Sequence, residues 1–175
     1  KLKGLFSKKK TGEEKVKVIS ASTIPLLDKE IQRQRVVLLS DDDKVTRMFA
    51  EDIIKDADPN ATVHIFDNGE ALLEKLKLIA LSSHDTSSSE FRSSTLFVLT
   101  DQNMGSGMTG LELTREIRNQ NLQAEIYMIS NESKSYFEEE AISAGANGYY
   151  EAPINVEKLE EIFTNERDAE ANVTS

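Results

Sequence analysis

The sequence has no cysteine, two histidines, and no apolar stretch approaching the roughly 18 residues a membrane-spanning helix needs. The missing cysteine excludes a disulfide scaffold, thiol catalysis and cysteine-based zinc sites. His64 and His84 alone leave little scope for a histidine-rich metal centre. Positive charge is also short. With 21 Lys+Arg against 31 Asp+Glu, the 175 residues carry a net charge of −10, which argues against nucleic acid as a direct partner of the folded part. A hydrophobic fraction of 38% still provides for one domain with a core.

The charge is unevenly spread. Residues 1–35 carry 10 basic and 4 acidic side chains, and residues 36–175 carry 11 and 27. The change coincides with the first strong apolar run, Val36-Val37-Leu38-Leu39. The chain therefore reads as a basic extension or linker (1–34), a folded domain (35–165) and a polar tail (166–175). Its start at Lys1 reads as that of a piece of a longer chain, and no apolar segment follows to make a secretory signal. Lys1-Leu2-Lys3-Gly4-Leu5-Phe6 and Lys8-Lys9-Lys10 have the charge for an acidic membrane surface. They have too few apolar residues to anchor there, so any membrane contact is weak and a solvated linker is the plainer reading.

Within the domain, hydrophobic period alternates between strand and helix. Arg35–Ser40 is a β-branched run that suits a strand buried on both faces. Lys44–Ala57 has Val45, Met48, Phe49, Ile53 and Ile54 at helical spacing, stopped by Asp58-Pro59-Asn60. Thr62–Asp67 alternates as a strand, and Glu70–Leu81 lines up Leu72, Leu73, Leu76 and Ile79 as a helix face. Residues 82–94 hold seven Ser and read as a loop insertion, with His84 solvated in it. Leu96–Leu99 is a strand. Thr109–Asn119 is a helix opened by a capping box of Thr109 and Glu112. Glu125–Ser130 is a strand, Ser133–Ala144 a helix stopped by Gly145, Asn147–Tyr150 a short strand, and Val156–Phe163 the last helix. Five such alternations predict an α/β fold with a doubly wound parallel sheet and helices on both faces. Ligands in such folds bind beyond the carboxyl ends of the strands.

The residues at those ends are Ser40-Asp41-Asp42-Asp43, Asp101 and Ser130. Carboxylates converging there repel one another and call for a cation. Oxygen donors without His or Cys favour Mg²⁺ over zinc. A carboxylate beside such an ion can attack phosphorus, and a hydroxyl can then bind the new phosphoryl group. The plain alternative is helix capping. Asp43 is expected to cap the helix from Lys44, but capping does not account for the Asp pair, Asp101 and Ser130 together.

Over about residues 35–164 the chain resembles the receiver domain of two-component response regulators, of the chemotaxis-regulator type. The resemblance rests on Val36–Asp43, Asp67-Asn68-Gly69-Glu70-Ala71-Leu72, Asp101-Gln102-Asn103-Met104, Met108-Thr109-Gly110-Leu111-Glu112-Leu113, Ile126–Ser130, and Ala144–Tyr149 with Pro153. It implies a flavodoxin-like (βα)5 fold of strand order 2-1-3-4-5. It implies that Asp101 accepts a phosphoryl group from a phosphohistidine. Asp41 and Asp42 form the acidic pair that binds Mg²⁺ with Asp101 and the main-chain carbonyl of Asn103. Ser130 is the switch hydroxyl, Tyr149 the aromatic that turns inward with it, and the Ala152–Pro153 bond is cis. The partners implied are a histidine kinase or histidine phosphotransfer protein upstream. Downstream, an effector would meet the face of helix 133–144, strand 147–150 and helix 155–164. The implied location is cytoplasmic, on the cytosolic side of the membrane if the domain belongs to a hybrid histidine kinase; a free-standing regulator is the other setting.

The resemblance fails chiefly at one position, with smaller departures elsewhere. Receivers place a Lys immediately before the proline, and here that residue is Ala152. Glu151 has the wrong sign, and Lys134 aligns with a helix surface. Gly105 stands where a proline is usual, the loop to Gly110 is one residue longer, and Asn131 replaces a small residue. Gly105 and Gly107 lack the following Lys-Ser/Thr of a P-loop. Two readings follow: an acceptor that works without the lysine, or a degenerate pseudo-receiver that binds protein independently of phosphorylation. A phosphatase with an aspartyl-phosphate intermediate is disfavoured, because Asn103 stands where its second Asp would be.

Overall fold

The computed structural model describes residues 34–84 and 94–171, with the side chains of 83, 84 and 165–171 excepted. The basic extension, most of the Ser-rich segment and the His84 side chain therefore lie outside the described residues. Among the described residues ten elements alternate: β1 (Arg35–Ser40), α1 (Lys44–Ala57), β2 (Thr62–Phe66), α2 (Gly69–His84), β3 (Thr95–Thr100), α3 (Gly110–Asn119), β4 (Glu125–Ser130), α4 (Lys134–Ala144), β5 (Gly148–Glu151) and α5 (Val156–Ala171). The five strands form one sheet in the order β2-β1-β3-β4-β5, and every pair is parallel. This is the doubly wound, flavodoxin-like arrangement the alternation predicts.

The β1 run Val36-Val37-Leu38-Leu39 is buried throughout because both faces of the sheet are covered. Alternate residues serve two cores. Val36 and Leu38 join Leu72, Leu76, Leu113, Ile117, Met128 and Tyr149 against α2, α3 and α4. Val37 and Leu39 join Ala50, Ile54, Phe97, Leu159, Ile162 and Phe163 against α1 and α5. Arg35 ties the α1–β2 turn to the end of this second core. It pairs with Asp58 at 2.8 Å, and its guanidinium lies 5.2 Å from the Phe163 ring centroid.

Most element ends lie within a residue or so of the sequence reading, and three differences matter. α2 runs through Ser82 to His84, into the stretch expected to be loop; Ser82 Oγ donates to Leu78 O at 2.9 Å. α5 continues from Phe163 to Ala171, into the expected tail. Its Glu, Arg and Ala residues favour helix although the sequence there has no apolar period. Ser133 is the N-cap of α4 rather than its first residue. The capping box at α3 forms as expected: Thr109 Oγ1 accepts from Glu112 N, and the Glu112 carboxylate accepts from Thr109 N.

Candidate functional site

The chain leaves β1 and β3 toward opposite faces of the sheet, so a crevice opens beyond their carboxyl ends. Asp41 is held at the end of β1, its N–H donating to Phe66 O at 3.2 Å. Asp43 turns away to cap α1, where Oδ1 accepts from Thr46 N at 2.8 Å; the Asp43 N–H in turn donates to Asp41 Oδ1. On the neighbouring strand Asp101 N donates to Ser40 O at 3.0 Å, which sets the two acidic segments side by side.

Asp101 is fixed from behind by its own loop. Gln102 N donates to Asp101 Oδ1 at 2.7 Å. The buried Gln102 side chain accepts from Leu111 N, and its main-chain carbonyl accepts from Gly110 N. Gly110 is sterically required: a Cβ there would lie 2.4 Å from the Asp101 carbonyl oxygen. α3 thus begins directly against the strand end that carries Asp101.

Carboxylate oxygens of Asp41, Asp42 and Asp101 lie within 4.8 Å of one another. Burial pushes the Asp41 carboxyl up to about 6, with repulsion from Asp101, Asp42 and Asp43 adding to it and the Asp43 N–H opposing it. Burial also raises Asp101, while the Ser130 hydroxyl and the N–H groups of Gln102 and Asn103 favour its ionised form. Ser130 is buried at the end of β4. Tyr149 lies beside it, 2% exposed, with its hydroxyl donating to Glu132 O at 2.7 Å. The Tyr149 ring is thus buried, with its hydroxyl held by the β4–α4 loop. Asn103 Nδ2 donates to Glu132 Oε1 at 3.1 Å, a link between the β3–α3 and β4–α4 loops.

A cavity of about 790 Å³ opens at these strand ends. Asp41, Asp42, Asp101, Asn103, Ser130 and Ala152 all line it, and the Ala152–Pro153 bond is cis, as expected. Among the lining residues there is no Lys, Arg or His. Lys134 is paired with Glu138 on α4, outside the site.

Two features escaped the sequence reading. Val45, Met48 and Phe49, three of the apolar residues at helical spacing on α1, are 61%, 64% and 55% exposed. The core contact of α1 is made by Ala50 and Ile54, while Val45 and Phe49 border the cavity. Period alone marks an apolar stripe, not which neighbour covers it. The second feature is the Gln102 clamp, for which no local pattern exists.

The family model of the response regulator receiver domain matches residues 37–164. The chain belongs to that family. Solved structures similar to it include the chemotaxis protein CheY4 of Vibrio cholerae, 24% identical, with 75% of this chain and 98% of that one covered and a TM-score of 0.58. A response regulator protein from Burkholderia multivorans is 28% identical over 77% and 95% of the two chains, with a TM-score of 0.53. A CheY-like receiver domain protein from Methanospirillum hungatei is 17% identical over 79% and 98%, with a TM-score of 0.60. No curated protein matches the chain significantly. The protein is thus a receiver domain, the phosphoacceptor class of two-component signalling.

Receiver domains bind Mg²⁺ at an acidic cluster, and the donor set here fits that ion. It offers carboxylate oxygens at mutual reach, no soft ligand, and a net negative charge that a divalent cation relieves.

Proposed function

We propose that Asp101 is the phosphoacceptor, taking a phosphoryl group from a phosphohistidine of a histidine kinase or histidine phosphotransfer protein. The observation that carries this reading is the convergence of Asp41, Asp42 and Asp101 beside the Ser130 hydroxyl at one strand-end cavity. In the transfer, an Asp101 carboxylate oxygen bonds to phosphorus while the donor's imidazole nitrogen keeps the pair of the breaking P–N bond. Asp41, Asp42, Asp101 and the Asn103 main-chain carbonyl are the groups that would hold Mg²⁺, which when bound neutralises the carboxylates and the phosphoryl oxygens. The N–H of Gln102 holds the acceptor carboxylate in place.

Ser130 acts as the switch hydroxyl, donating to a phosphoryl oxygen. Phosphorylation brings roughly −1.5 to −2 units of charge, enough to rearrange donors around it. Because the Tyr149 ring is already buried, the new Ser130 contact locks that arrangement rather than creating it. The face that reads the change consists of α4, β5 and α5, where Tyr136 is 81% exposed. An effector protein docks there. The domain proper spans residues 35–165 and works in the cytoplasm, either free-standing or as part of a hybrid kinase.

The test is incubation with Mg²⁺ and acetyl phosphate followed by intact mass. One added phosphoryl group is expected, and none with Asp101→Asn. One observation favours the pseudo-receiver reading instead, namely that among the described residues no basic side chain lines the cavity. No added mass from acetyl phosphate or from a phosphohistidine donor would establish that reading.

A further inference from the structure

We infer that Glu70, in the first turn of α2, is a positioning residue for Mg²⁺: its carboxylate holds the β3–α3 loop in the conformation that sets Asn103 and Asp42 for the ion. The inference rests on the reading of Asp41, Asp42, Asp101 and Asn103 as the metal-binding groups, and it concerns what fixes two of them.

Residues 103–109 join β3 to α3. They include Gly105 and Gly107 and no proline, so the segment by itself has a wide choice of backbone conformation. Its two ends are anchored. Near the β3 end the Met104 side chain is 3% exposed, in the same core cluster as Leu72 and Leu73 of α2. At the α3 end Thr109 and Glu112 form the capping box. Between the anchors the chain turns, with Gly107 N donating to Met104 O at 3.1 Å. Gly105 has φ 59, and a Cβ there would lie 3.3 Å from Asp42 Oδ2. The turn therefore lies directly against one of the metal-binding carboxylates.

α2 holds this turn from outside the loop. Met108 N donates to Glu70 Oε1 at 2.9 Å, across 38 residues of sequence. A Cβ at Gly107 would lie 3.2 Å from Glu70 Oε2, so the same carboxylate covers Gly107. An acid in the first turn of a helix ordinarily serves that helix's own free N–H groups and its dipole. Here Asn68 caps α2, its Oδ1 accepting from Ala71 N at 2.8 Å, and Glu70 reaches the loop instead. Glu70 is exposed, so its bond orders a surface loop and fills no core. The turn thus touches Asp42 at Gly105 and Glu70 at Gly107 and Met108, and Asn103 stands at its entry. Without the Glu70 acceptor, the entropy of ordering the loop is charged to metal binding.

The experiment titrates Mg²⁺ into the full chain by calorimetry, at fixed ionic strength. The wild type is compared with Glu70→Ala, Glu70→Gln, Glu70→Asp and Glu74→Ala. Removing a group that orients a metal ligand weakens binding by roughly 10–100-fold, and about tenfold is expected for Glu70→Ala, which acts through the loop. Glu70→Gln keeps an oxygen acceptor at the same reach and should bind within about twofold of the wild type. Glu70→Asp keeps the charge but withdraws the carboxylate by a methylene, and should weaken binding as Glu70→Ala does. Glu74→Ala removes an α2 carboxylate that pairs with Lys77 at 3.0 Å, and should bind as the wild type does. In phosphorylation by acetyl phosphate, Glu70→Ala should raise the half-saturating Mg²⁺ concentration by the same factor and leave the rate at saturating Mg²⁺ unchanged. Thermal melts check folding; if Glu70→Ala melts early, the contrast between Glu70→Gln and Glu70→Asp decides.

Equal Mg²⁺ affinity in the wild type, Glu70→Ala and Glu70→Asp overturns the inference while the metal-site reading stands. Weakening by Glu70→Gln as large as by Glu70→Ala reports the lost charge and overturns it as well. A wild type that does not bind Mg²⁺ overturns the metal-site reading itself, and the inference with it.

Discussion

The two ends of the sheet treat charge in opposite ways. Toward the amino ends of the strands, Arg118 is surrounded by acceptors. Nε donates to Gly145 O at 2.9 Å, Nη1 to Ala124 O at 3.0 Å and Nη2 to Asn147 Oδ1 at 3.0 Å. Asn147 Oδ1 also accepts from Ile126 N, so one side chain joins α3, β4 and the α4–β5 turn. Gly145 follows α4 at φ 105, and a Cβ there would sit 2.7 Å from Arg118 Cγ. At the carboxyl ends, three carboxylates converge, and among the described residues no basic side chain lines the space they face. The first end is arranged for stability. The second holds an unfavourable charge distribution that a bound cation and a phosphoryl group turn to use, and such local conflict with the rules of folding marks functional sites.

Substitutions at each end sharpen this contrast. The largest effect expected is the all-or-none loss of phosphoryl acceptance in Asp101→Asn, with folding retained. At the other end Arg118→Met should cost about 3 kcal/mol of stability in urea unfolding, since charge-assisted bonds contribute roughly 1.5–3 kcal/mol and their acceptors would be left unpaired. It should leave acceptance on Asp101 intact in the fraction that is folded. The two variants thus separate function from stability.

Asp41→Asn is expected to act in the opposite sense. Burial pushes the Asp41 carboxyl up to about 6 in the fold, against about 3.9 for an ordinary aspartate. The folded protein therefore keeps a proton that the unfolded chain releases. The corresponding stability is present below about pH 4 and lost as pH rises through about 6. Asp101 shifts in the same direction. In a chelator, the wild type should lose stability relative to Asp41→Asn between about pH 5 and 7, by about 1–2 kcal/mol after allowance for solvent screening of a half-buried group. Thermal melts at the two pH values measure this, and added Mg²⁺ should close the gap. The smallest effect is at the α3 cap, where Thr109→Ala should cost about 1 kcal/mol without altering the pH dependence.

Most of the fold was legible because it is written in period and punctuation. The apolar run of β1, the Thr109–Glu112 box and the Asp58-Pro59 stop are local signals, and all three stand as read. The cluster of Asp41, Asp42 and Asp101 was legible too, since a parallel sheet brings every strand's carboxyl end to one edge. What stayed hidden is decided by neighbours. Val45 and Phe49 have the spacing of core residues, yet they border a cavity. The partner of the buried Tyr149 hydroxyl is the Glu132 carbonyl, contributed by a loop 17 residues away. The extension of α5 to Ala171 leaves no apolar stripe to count.

The most direct test of the central claim is to locate the phosphoryl group. Borohydride reduces an aspartyl phosphate to homoserine at the residue that carried it. After treatment with Mg²⁺ and acetyl phosphate, peptide mapping should find homoserine at position 101 and at no other acidic residue. Homoserine at 41 or 42, or unmodified aspartate at 101 in a protein that has gained phosphoryl mass, would contradict the account.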